Sequence, residues 1–488
     1  MEINYKIIQI RKEILNTDQI FYKINKINKI INIFDKFNIP INKSIFQRLF
    51  QLLITQDFNQ KLINFFKKGT KVSHPLPEEW IKILRKNGVN VSIFSNFLFH
   101  LYKLKVLMKS FHILFTCLDL DKNHNETNFN YLSNLNSNVF KNIDNSNNLF
   151  TWFKNYFNDG EVNFFHDNKK IKNINISNHN LIYKRLIALN NVYLFPKLIF
   201  EYFVIFFKIL FTNSILFFLL DEIVKLKIAL KKKNNLPNKI LFDHSESVFK
   251  PLWTYYFESI NIKNIVYFYS TNSVPIVYDK DKIEKIFDYI TYGWELMSWK
   301  NYFVWDDYQK DFFANFFNLE KLYFKSTGPI PFGGKSFKFK SKKKIISIFD
   351  VSPYSNINYE KLCLPEKYYN FKNIKKFYET IIKFNTNYHL VFKIKRINKY
   401  TDLNYVRYIQ FLKKEGFDIL DDICPFSLIK SSSKVISLPF SSPSIIAKHC
   451  NVDSIFFDPT SKLTFLNDYK FVNHGVQILD NSEIENWL

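Results

Sequence analysis

The sequence predicts an α/β protein with two Rossmann-like domains, and three observations lead to this prediction. At 488 residues the chain is long enough for two or three domains. From residue 236 onwards, short apolar runs alternate with longer segments of helical periodicity. A turn rich in Gly and Pro at 328–334 and a basic stretch at 338–344 divide this pattern into two series, which indicates a domain boundary.

Each series is interpreted as a parallel sheet with helices between its strands. In the first series, strands are predicted at 239–242, 265–269, 303–305 and 321–324, with a helix at 248–259. In the second, strands are predicted at 345–349, 389–393, 417–420, 434–438 and 454–457, with helices at 374–384 and 403–416. Successive strand–helix steps favour a Rossmann-like sheet in each series.

The part before residue 236 shows mainly helical periodicity. Residues 1–70 have apolar residues at helical spacing and are predicted to form a helical N-terminal extension. A helix beginning near Glu78 is predicted to lead into a strand at 89–94, and the Asn-rich stretch 121–150 is predicted to be a surface loop. We therefore expect three regions: an extension at 1–70, a first Rossmann-like domain at 71–335 and a second at 336–488.

Composition and cysteine spacing limit the class of protein. Apolar residues make up 47% of the chain and aromatic residues 18%, which excludes a globally disordered protein. Cys117, Cys363, Cys424 and Cys450 are scattered singly, which argues against a zinc thiolate site and a disulfide framework. Residues 1–15 lack the apolar core of a signal peptide. Together these features predict a cytoplasmic protein in a reducing compartment.

The formal net charge of +24 is compatible with several anionic partners. A basic surface attracts phosphates, anionic lipid headgroups and nucleic acids alike. The sequence contains no arginine-rich stripe, zinc-finger spacing or aromatic RNA-binding motif, so nucleic-acid binding is the weaker alternative and no nucleic-acid partner is expected. It also contains no Walker A, GxGxxG, GxSxG or HExxH motif, which excludes the commonest phosphoryl, hydride, ester and peptide chemistries.

The stretch 193–220 is the longest hydrophobic run in the chain. Glu201, Lys208 and the polar residues at 212–214 interrupt it, and a charge at the centre of a membrane span costs at least ~2.5 kcal/mol. We expect a helical hairpin buried in the protein. The alternatives are in-plane contact with a membrane, helped by the basic run at 231–233, and a true span.

The segment 435–448 predicts a phosphate site. It consists of an apolar strand, a hydroxyl-rich turn and a helix in which Ser441 or Ser442 is the N-cap and Pro443 suits the first helical position. Free N–H groups and the positive end of the helix dipole then lie at the carboxyl ends of the strands, where α/β proteins bind anions. The alternative is an ordinary capped helix with no ligand.

Other polar residues follow neighbouring strands of the second series. The same crevice is predicted to receive a set of residues from three further strand ends: Ser352, Tyr354, Lys393, Lys395, Arg396, Asp458 and Thr460. Two cations beside a helix N-terminus suit a phosphate on which charge develops as it leaves. The alternative for the lysines is simple exposure in a lysine-rich protein.

A second polar cluster follows the first strand of the first series. Asp243, His244 and Glu246 are each able to accept a proton from a hydroxyl group, and the sequence does not rank them. The alternative is that this segment only caps the next helix. Asp306 and Asp307 lie side by side on an extended segment and face opposite ways, so we predict no metal site there or elsewhere.

The segment 439–459 also resembles a known family. Pro439, Phe440, Ser441 and Ser442, followed by a helix and then by 457–459 (FDP), are similar to the signature of the polysaccharide-biosynthesis PFTS-motif proteins, with Ser441 where the motif has Thr. The resemblance covers roughly residues 70–480 and includes segments 74–80 (HPLPEEW), 242–247 (FDHSES), 250–253 (KPLW), 267–272 (YFYSTN), 304–307 (VWDD) and 328–330 (GPI).

The resemblance implies a GT-B-like glycosyltransferase, with two Rossmann-like domains facing across a cleft. In such an enzyme the first domain faces the acceptor, the second binds a nucleotide-sugar, and neither a metal nor another cofactor is needed. Lys395 or Arg396 would take the place of the usual His-Pro turn. The implied acceptor is a bacterial surface polysaccharide or a lipid-linked glycan, with peripheral contact at the inner face of the cell membrane. The alternatives are a polyol-phosphate polymerase or a non-catalytic assembly partner and, in another class, a nucleic-acid-associated protein.

Overall fold

The structure is a computed structural model. It describes residues 2–15, 33–53, 55–118, 129–133, 152, 156, 163–166, 181–183, 186–189, 191–212, 214–232, 236–243, 249–268, 270–271, 296–314, 322–330, 337, 344–353, 355, 368–385, 387–395, 397–398, 401–461, 463 and 474–488. Two parallel sheets organise these residues.

The first sheet has seven strands in the order β3-β2-β1-β4-β5-β6-β7. The strands are β1 (Phe129–Ser133), β2 (Asn163–His166), β3 (Leu181–Tyr183), β4 (Lys239–Asp243), β5 (Lys263–Tyr267), β6 (Asn301–Val304) and β7 (Tyr323–Ser326). Every neighbouring pair is parallel, and Leu132 of β1 lies opposite Leu241 of β4. The order reverses between β1 and β4, so this is where a Rossmann sheet opens a crevice.

The second sheet has six parallel strands in the order β10-β9-β8-β11-β12-β13. The strands are β8 (Ile345–Phe349), β9 (His389–Lys393), β10 (Asp418–Leu420), β11 (Lys434–Ser437), β12 (Asp453–Phe457) and β13 (Gln477–Leu479). β8 is buried along its whole length, as expected for a central strand with helices on both faces. The order reverses between β8 and β11.

Helices cover both sheets. Their bounds are α1 (Glu2–Leu15), α2 (Ile33–Lys36), α3 (Ile41–Leu53), α4 (Gln56–Lys68), α5 (Glu78–Lys86), α6 (Phe94–Phe115), α7 (Phe195–Thr212), α8 (Leu220–Leu230), α9 (Leu252–Ser259), α10 (Asp307–Ala314), α11 (Phe371–Phe384), α12 (Leu403–Lys414), α13 (Pro425–Lys430), α14 (Ser442–His449) and α15 (Ile484–Trp487). Short 3-10 helices lie at Val192–Leu194 and Ser214–Leu219.

The predicted α/β class with two Rossmann-like sheets is confirmed, and two local predictions are wrong. The stretch 121–150 contains β1, a central strand, because its backbone pairs with β2 and β4 on both sides despite the polar sequence around it. No strand forms at 89–94, where Val91 makes one isolated bridge to Val72 before α6 begins. The strands β2, β3 and β13 were not predicted.

The N-terminal helices share one hydrophobic core with α6, α7 and α8. The ring of Phe46 packs edge-on against Trp80, with 6.3 Å between their centroids. Arg48 of α3 forms a 2.7 Å ion pair with the buried carboxylate of Asp221 in α8, which Lys109 of α6 also approaches to 2.8 Å. We keep 1–70, 71–335 and 336–488 as proposed domain limits.

The hydrophobic run at 193–220 forms α7 and a 3-10 helix that leads into α8. The predicted hairpin is present, but the prediction of its burial is wrong for one face of α7. Leu198 and Ile209 are buried, whereas Phe200 is 70% exposed and Phe211 81% exposed. None of the helices that the structure describes is both long enough and apolar enough to cross a membrane.

Candidate functional site

The reversal of strand order in the second sheet brings the ends of β8 and β11 together. Ser437 lies opposite Phe349, and the Leu438 N–H donates to the Phe349 carbonyl at 3.3 Å. The loops that follow these strands carry Asp350 and Ser352 on one side and Ser441 on the other. The carboxyl ends of parallel strands at such a point form the ligand crevice of α/β proteins.

The turn between β11 and α14 leaves the helix start without a side-chain cap. Phe440 has a φ of +61°, which turns the chain sharply before Ser441. The Ser441 hydroxyl donates back to the Leu438 carbonyl at 2.7 Å rather than accepting from the helix. Since Pro443 in the first turn has no N–H, the remaining first-turn amides are the donors available to an anion.

Buried serines hold this helix start against the sheet. The hydroxyl of Ser444 in the first turn of α14 donates to the Ile455 carbonyl of β12 at 2.6 Å. It also lies 2.7 Å from the hydroxyl of Ser437 at the end of β11. These bonds fix the position of the α14 N-terminus over β11 and β12, so an anion site there would be rigid.

A buried carboxylate organises the loop on the other side of the crevice. Asp350 follows β8 and accepts hydrogen bonds from the Tyr378 hydroxyl at 2.7 Å, from the Tyr405 hydroxyl and from the Lys395 N–H at 3.0 Å. Burial raises the pKa of the Asp350 carboxyl, and these hydrogen bonds offset that only in part. The Ser352 hydroxyl donates to the Lys395 carbonyl at 3.0 Å, so both backbone polar groups of Lys395, its N–H and its carbonyl, are bonded to this loop.

Lys395, in the loop after β9, is the predicted cation whose backbone is held by this arrangement. Its residue is exposed, and among the residues that the structure describes none accepts a hydrogen bond from its ammonium group. Protein atoms around that group lower its pKa, and the nearby Asp350 carboxylate opposes this. An exposed ammonium group in a loop after β9 suits a phosphate ligand, and this role stays a prediction for Lys395.

Other predicted site residues have structural partners. The Lys393 ammonium donates to the carbonyls of Ile394 and Asp421, each at 2.8 Å, on the side of β10. The Asp458 carboxylate accepts from the Tyr368 hydroxyl and from the Thr460 hydroxyl and N–H, at 2.7 to 2.9 Å. These groups shape the loops after β9 and β12, and we do not assign them to the ligand. Tyr354 and Arg396 lie outside the described residues.

We expect Tyr405→Phe to lower the free energy of unfolding by about 1–2 kcal/mol, because it removes a donor from a buried carboxylate. Tyr408→Phe is the matched control, because within the described part of the chain no residue bonds its hydroxyl. Urea unfolding of both variants checks this. A Tyr405→Phe protein as stable as wild type would show that the Asp350 hydrogen bonds do not stabilise the loop.

The predicted proton acceptors follow β4, at the reversal point of the first sheet. Asp243 ends that strand next to Tyr267 of β5. His244 and Glu246 lie outside the described residues, as does the side chain of Asp243. These three residues therefore stay a prediction, and only the backbone of Asp243 is described, at the end of β4.

The sequence did not predict a contact between the two domains around Asp306. This residue follows β6, and its carboxylate lies 2.8 Å from the Nδ1 atom of His474 before β13 and 3.4 Å from the Nε2 atom of His449 at the end of α14. The neighbouring Trp305 is buried against the core of the second sheet and donates to the Phe268 carbonyl at 2.7 Å. Asp306 is thus an interdomain hydrogen-bond acceptor.

Comparison with known proteins gives one family and several structural relatives. The family described as "Polysaccharide biosynthesis PFTS motif protein" matches residues 203–488. No curated protein matches in sequence. The kitacinnamycin glycotransferase is 10% identical over 73% of this chain and 86% of its own, with a TM-score of 0.36.

Two further structures show a similar degree of likeness. The wall teichoic acid polymerase TagF is 10% identical over 80% of this chain and 88% of its own, with a TM-score of 0.38. The UDP-GlcNAc 2-epimerase of Methanocaldococcus jannaschii, solved with UDP-GlcNAc and UDP, is 10% identical over 74% and 91%, with a TM-score of 0.34.

Proposed function

The chain belongs to the family of polysaccharide biosynthesis PFTS motif proteins, and from that premise we propose that it is a metal-independent glycosyltransferase. It moves a sugar from a nucleotide-sugar onto a bacterial surface polysaccharide or a lipid-linked glycan. The observation that supports this proposal most is the N-terminus of α14, which no side chain caps, at the end of β11 next to β8; the backbone N–H of Lys395 donates to Asp350 in the loop after β8.

The second sheet binds the donor through its phosphates. First-turn amides of α14 and the hydroxyl of Ser442 face the phosphate, and the ammonium group of Lys395 neutralises charge on it; Arg396 adds a second cation. In the reaction the bond between the anomeric carbon and the phosphate oxygen breaks, and negative charge develops on the departing phosphate. Donors already in place stabilise that charge more in the transition state than in the substrate.

The first sheet provides the proton acceptor. The acceptor hydroxyl oxygen forms the new bond to the anomeric carbon, and its proton passes to one of the side chains after β4. Asp243, His244 and Glu246 are the candidates, since each side chain can accept a proton and the sequence places them directly after β4, whose last residue is Asp243. The donor is the substrate and no cofactor is required.

We also propose that the protein works at the inner face of the cell membrane, in peripheral contact with it. A lipid-linked acceptor presents its sugar at the membrane surface. The hydrophobic run that forms α7 supports this contact, because one of its faces is exposed.

A thermal-shift screen with CMP-, UDP- and GDP-sugars tests the proposed function. A donor at a hundred times its Kd stabilises a folded protein by about 2.7 kcal/mol, which a melting curve resolves readily. We expect stabilisation by one nucleotide family, lost in Ser442→Asp. Stabilisation by CDP-polyols alone would favour a polyol-phosphate polymerase, and stabilisation by oligonucleotides alone would contradict the proposal.

A further inference from the structure

Helix α6 carries an apolar stripe on its solvent side. Its exposed members are three, four or seven residues apart and so lie on one face of the helix: Phe94, Phe97, Leu101, Leu104, Met108 and Phe115. The opposite face is apolar as well, and Phe99, Val106 and Leu114 are buried there. An amphipathic surface helix turns polar residues to water, so this second stripe needs a partner.

Helix α7 carries a matching stripe beside it. Its exposed apolar members again follow helical spacing: Phe200, Phe203, Val204, Phe207, Leu210 and Phe211. The two helices meet where the ring of Phe111 packs against Phe203, with 6.5 Å between the centroids, and where the Ser110 and Tyr202 hydroxyls lie 3.0 Å apart. We name the two stripes together the α6–α7 face.

The charges on these helices decide what covers the face. The two helices carry five lysines and one glutamate, Glu201. Lys109 pairs with the Asp221 carboxylate at 2.8 Å, and the helices still carry more lysines than acidic residues. That glutamate pairs with Lys231 at 2.8 Å and with Lys227 at 3.6 Å, so its charge is already compensated. A second copy of the chain would bring like charge against like charge, whereas an anionic lipid surface is complementary.

We propose that the α6–α7 face docks in the plane of an anionic lipid bilayer. At 1.5 Å per residue the 22 residues of α6 and the 18 of α7 extend roughly 33 and 27 Å along the surface. Aromatic and aliphatic side chains enter the headgroup boundary while exposed lysines of the two helices, such as Lys105 and Lys197, contact anionic lipids. The inference rests on the membrane contact proposed above but not on sugar transfer, because vesicle binding needs no donor.

Co-sedimentation of the full chain with vesicles tests this face. We expect binding to vesicles of phosphatidylcholine mixed with phosphatidylglycerol, weak binding to pure phosphatidylcholine, and loss with rising salt. The double variant Phe97→Asp with Phe200→Asp, at positions 58% and 70% exposed, should weaken binding about tenfold or more. Leu403→Asp with Phe411→Asp, at positions 70% and 52% exposed on α12, makes the same charge change elsewhere and should leave binding unaltered.

The outcomes separate lipid binding from self-association. Circular dichroism melting first establishes that both double variants are folded. Equal vesicle binding by wild type and by the α6–α7 variant would overturn the proposal. The proposal would also be overturned if the wild type is a dimer in size-exclusion chromatography and does not bind vesicles, while the α6–α7 variant is a monomer. If vesicle binding follows our expectation and no nucleotide-sugar binds, the lipid face stands and the proposed activity fails.

Discussion

Replacement of Ser442 by Asp is expected to abolish binding of the nucleotide-sugar. Ser442 is the first residue of α14, so an aspartate there places a negative charge where the donor phosphate meets the helix N–H groups. The carboxylate would itself accept from those amides and compete for them. Loss of two charge-assisted hydrogen bonds at ~1.5–3 kcal/mol each corresponds to at least about two decades in affinity.

Milder changes at the same site should have graded effects. Ser442→Ala removes a hydroxyl but keeps the backbone donors, so we expect a loss of about tenfold or less. Lys395→Ala should fall between the two serine variants, and its effect should shrink at high salt because screening already weakens the ion pair. Isothermal titration calorimetry with the nucleotide-sugar that stabilises the wild type measures all three.

Ser431→Asp is a suitable control for the added charge. Ser431 is exposed directly after α13 and before β11 begins. It therefore lies near the amino ends of the strands, whereas the crevice lies at their carboxyl ends. The Ser431→Asp protein should bind the nucleotide-sugar with the same affinity as wild type. If folded Ser442→Asp protein also bound the donor and turned over at wild-type levels, the phosphate site would lie elsewhere.

The second sheet could be predicted from the sequence except for β13, whereas in the first sheet only β4, β5, β6 and β7 could be predicted. β8 and β11 are continuous apolar runs bounded by polar turns, and buried parallel strands have that pattern. β1 is five residues in an Asn-rich stretch and becomes a central strand only because β2 and β4 pair with it. Tertiary pairing overrides local propensity here, and a single sequence does not reveal it.

Some features of the candidate site could likewise be predicted from the sequence and others could not. The start of α14 is local: Ser441 stands at the predicted N-cap position and Pro443 lies in the first turn, although the predicted cap is wrong in that the Ser441 hydroxyl makes no bond to the helix. The Asp350 cluster is not local, since Tyr378 and Tyr405 lie 28 and 55 residues further along the chain. The exposed face of α7 was also missed, because a helix that is apolar all round gives no sign of which side is buried.

Asp306→Asn is expected to lower the free energy of unfolding by about 2–3 kcal/mol at neutral pH, because it removes charge-assisted hydrogen bonds between the domains. Burial favours the neutral carboxyl, but hydrogen bonds from His449 and His474, with that from the Gln309 N–H, outweigh it and hold the pKa of Asp306 well below its ordinary value. The side-chain oxygen of asparagine can still accept the hydrogen bond from the Gln309 N–H, but it has no negative charge to strengthen the contacts with His449 and His474.

The direction of the pH dependence follows from that lowered pKa. A carboxyl whose folded pKa lies below the unfolded value of 3.8 stabilises the protein above that pH and loses the contribution as the pH falls towards the folded pKa. The difference between wild type and Asp306→Asn should therefore be constant from neutral pH down to about pH 5 and shrink below about pH 4. Urea unfolding at a series of pH values measures it.

Asp307→Asn provides the matched control at the adjacent position. The Asp307 carboxylate is exposed, and from the residues that the structure describes it accepts a hydrogen bond only from the Ser326 hydroxyl, at 2.8 Å within the same domain, so its loss should cost less than about 0.5 kcal/mol. Because Asp306 joins the two domains, only Asp306→Asn should also speed proteolysis between residues 326 and 345 and enlarge the radius of gyration. An Asp306→Asn protein with wild-type stability at pH 7 and an unchanged cleavage rate would show that the histidine contacts do not hold the domains together.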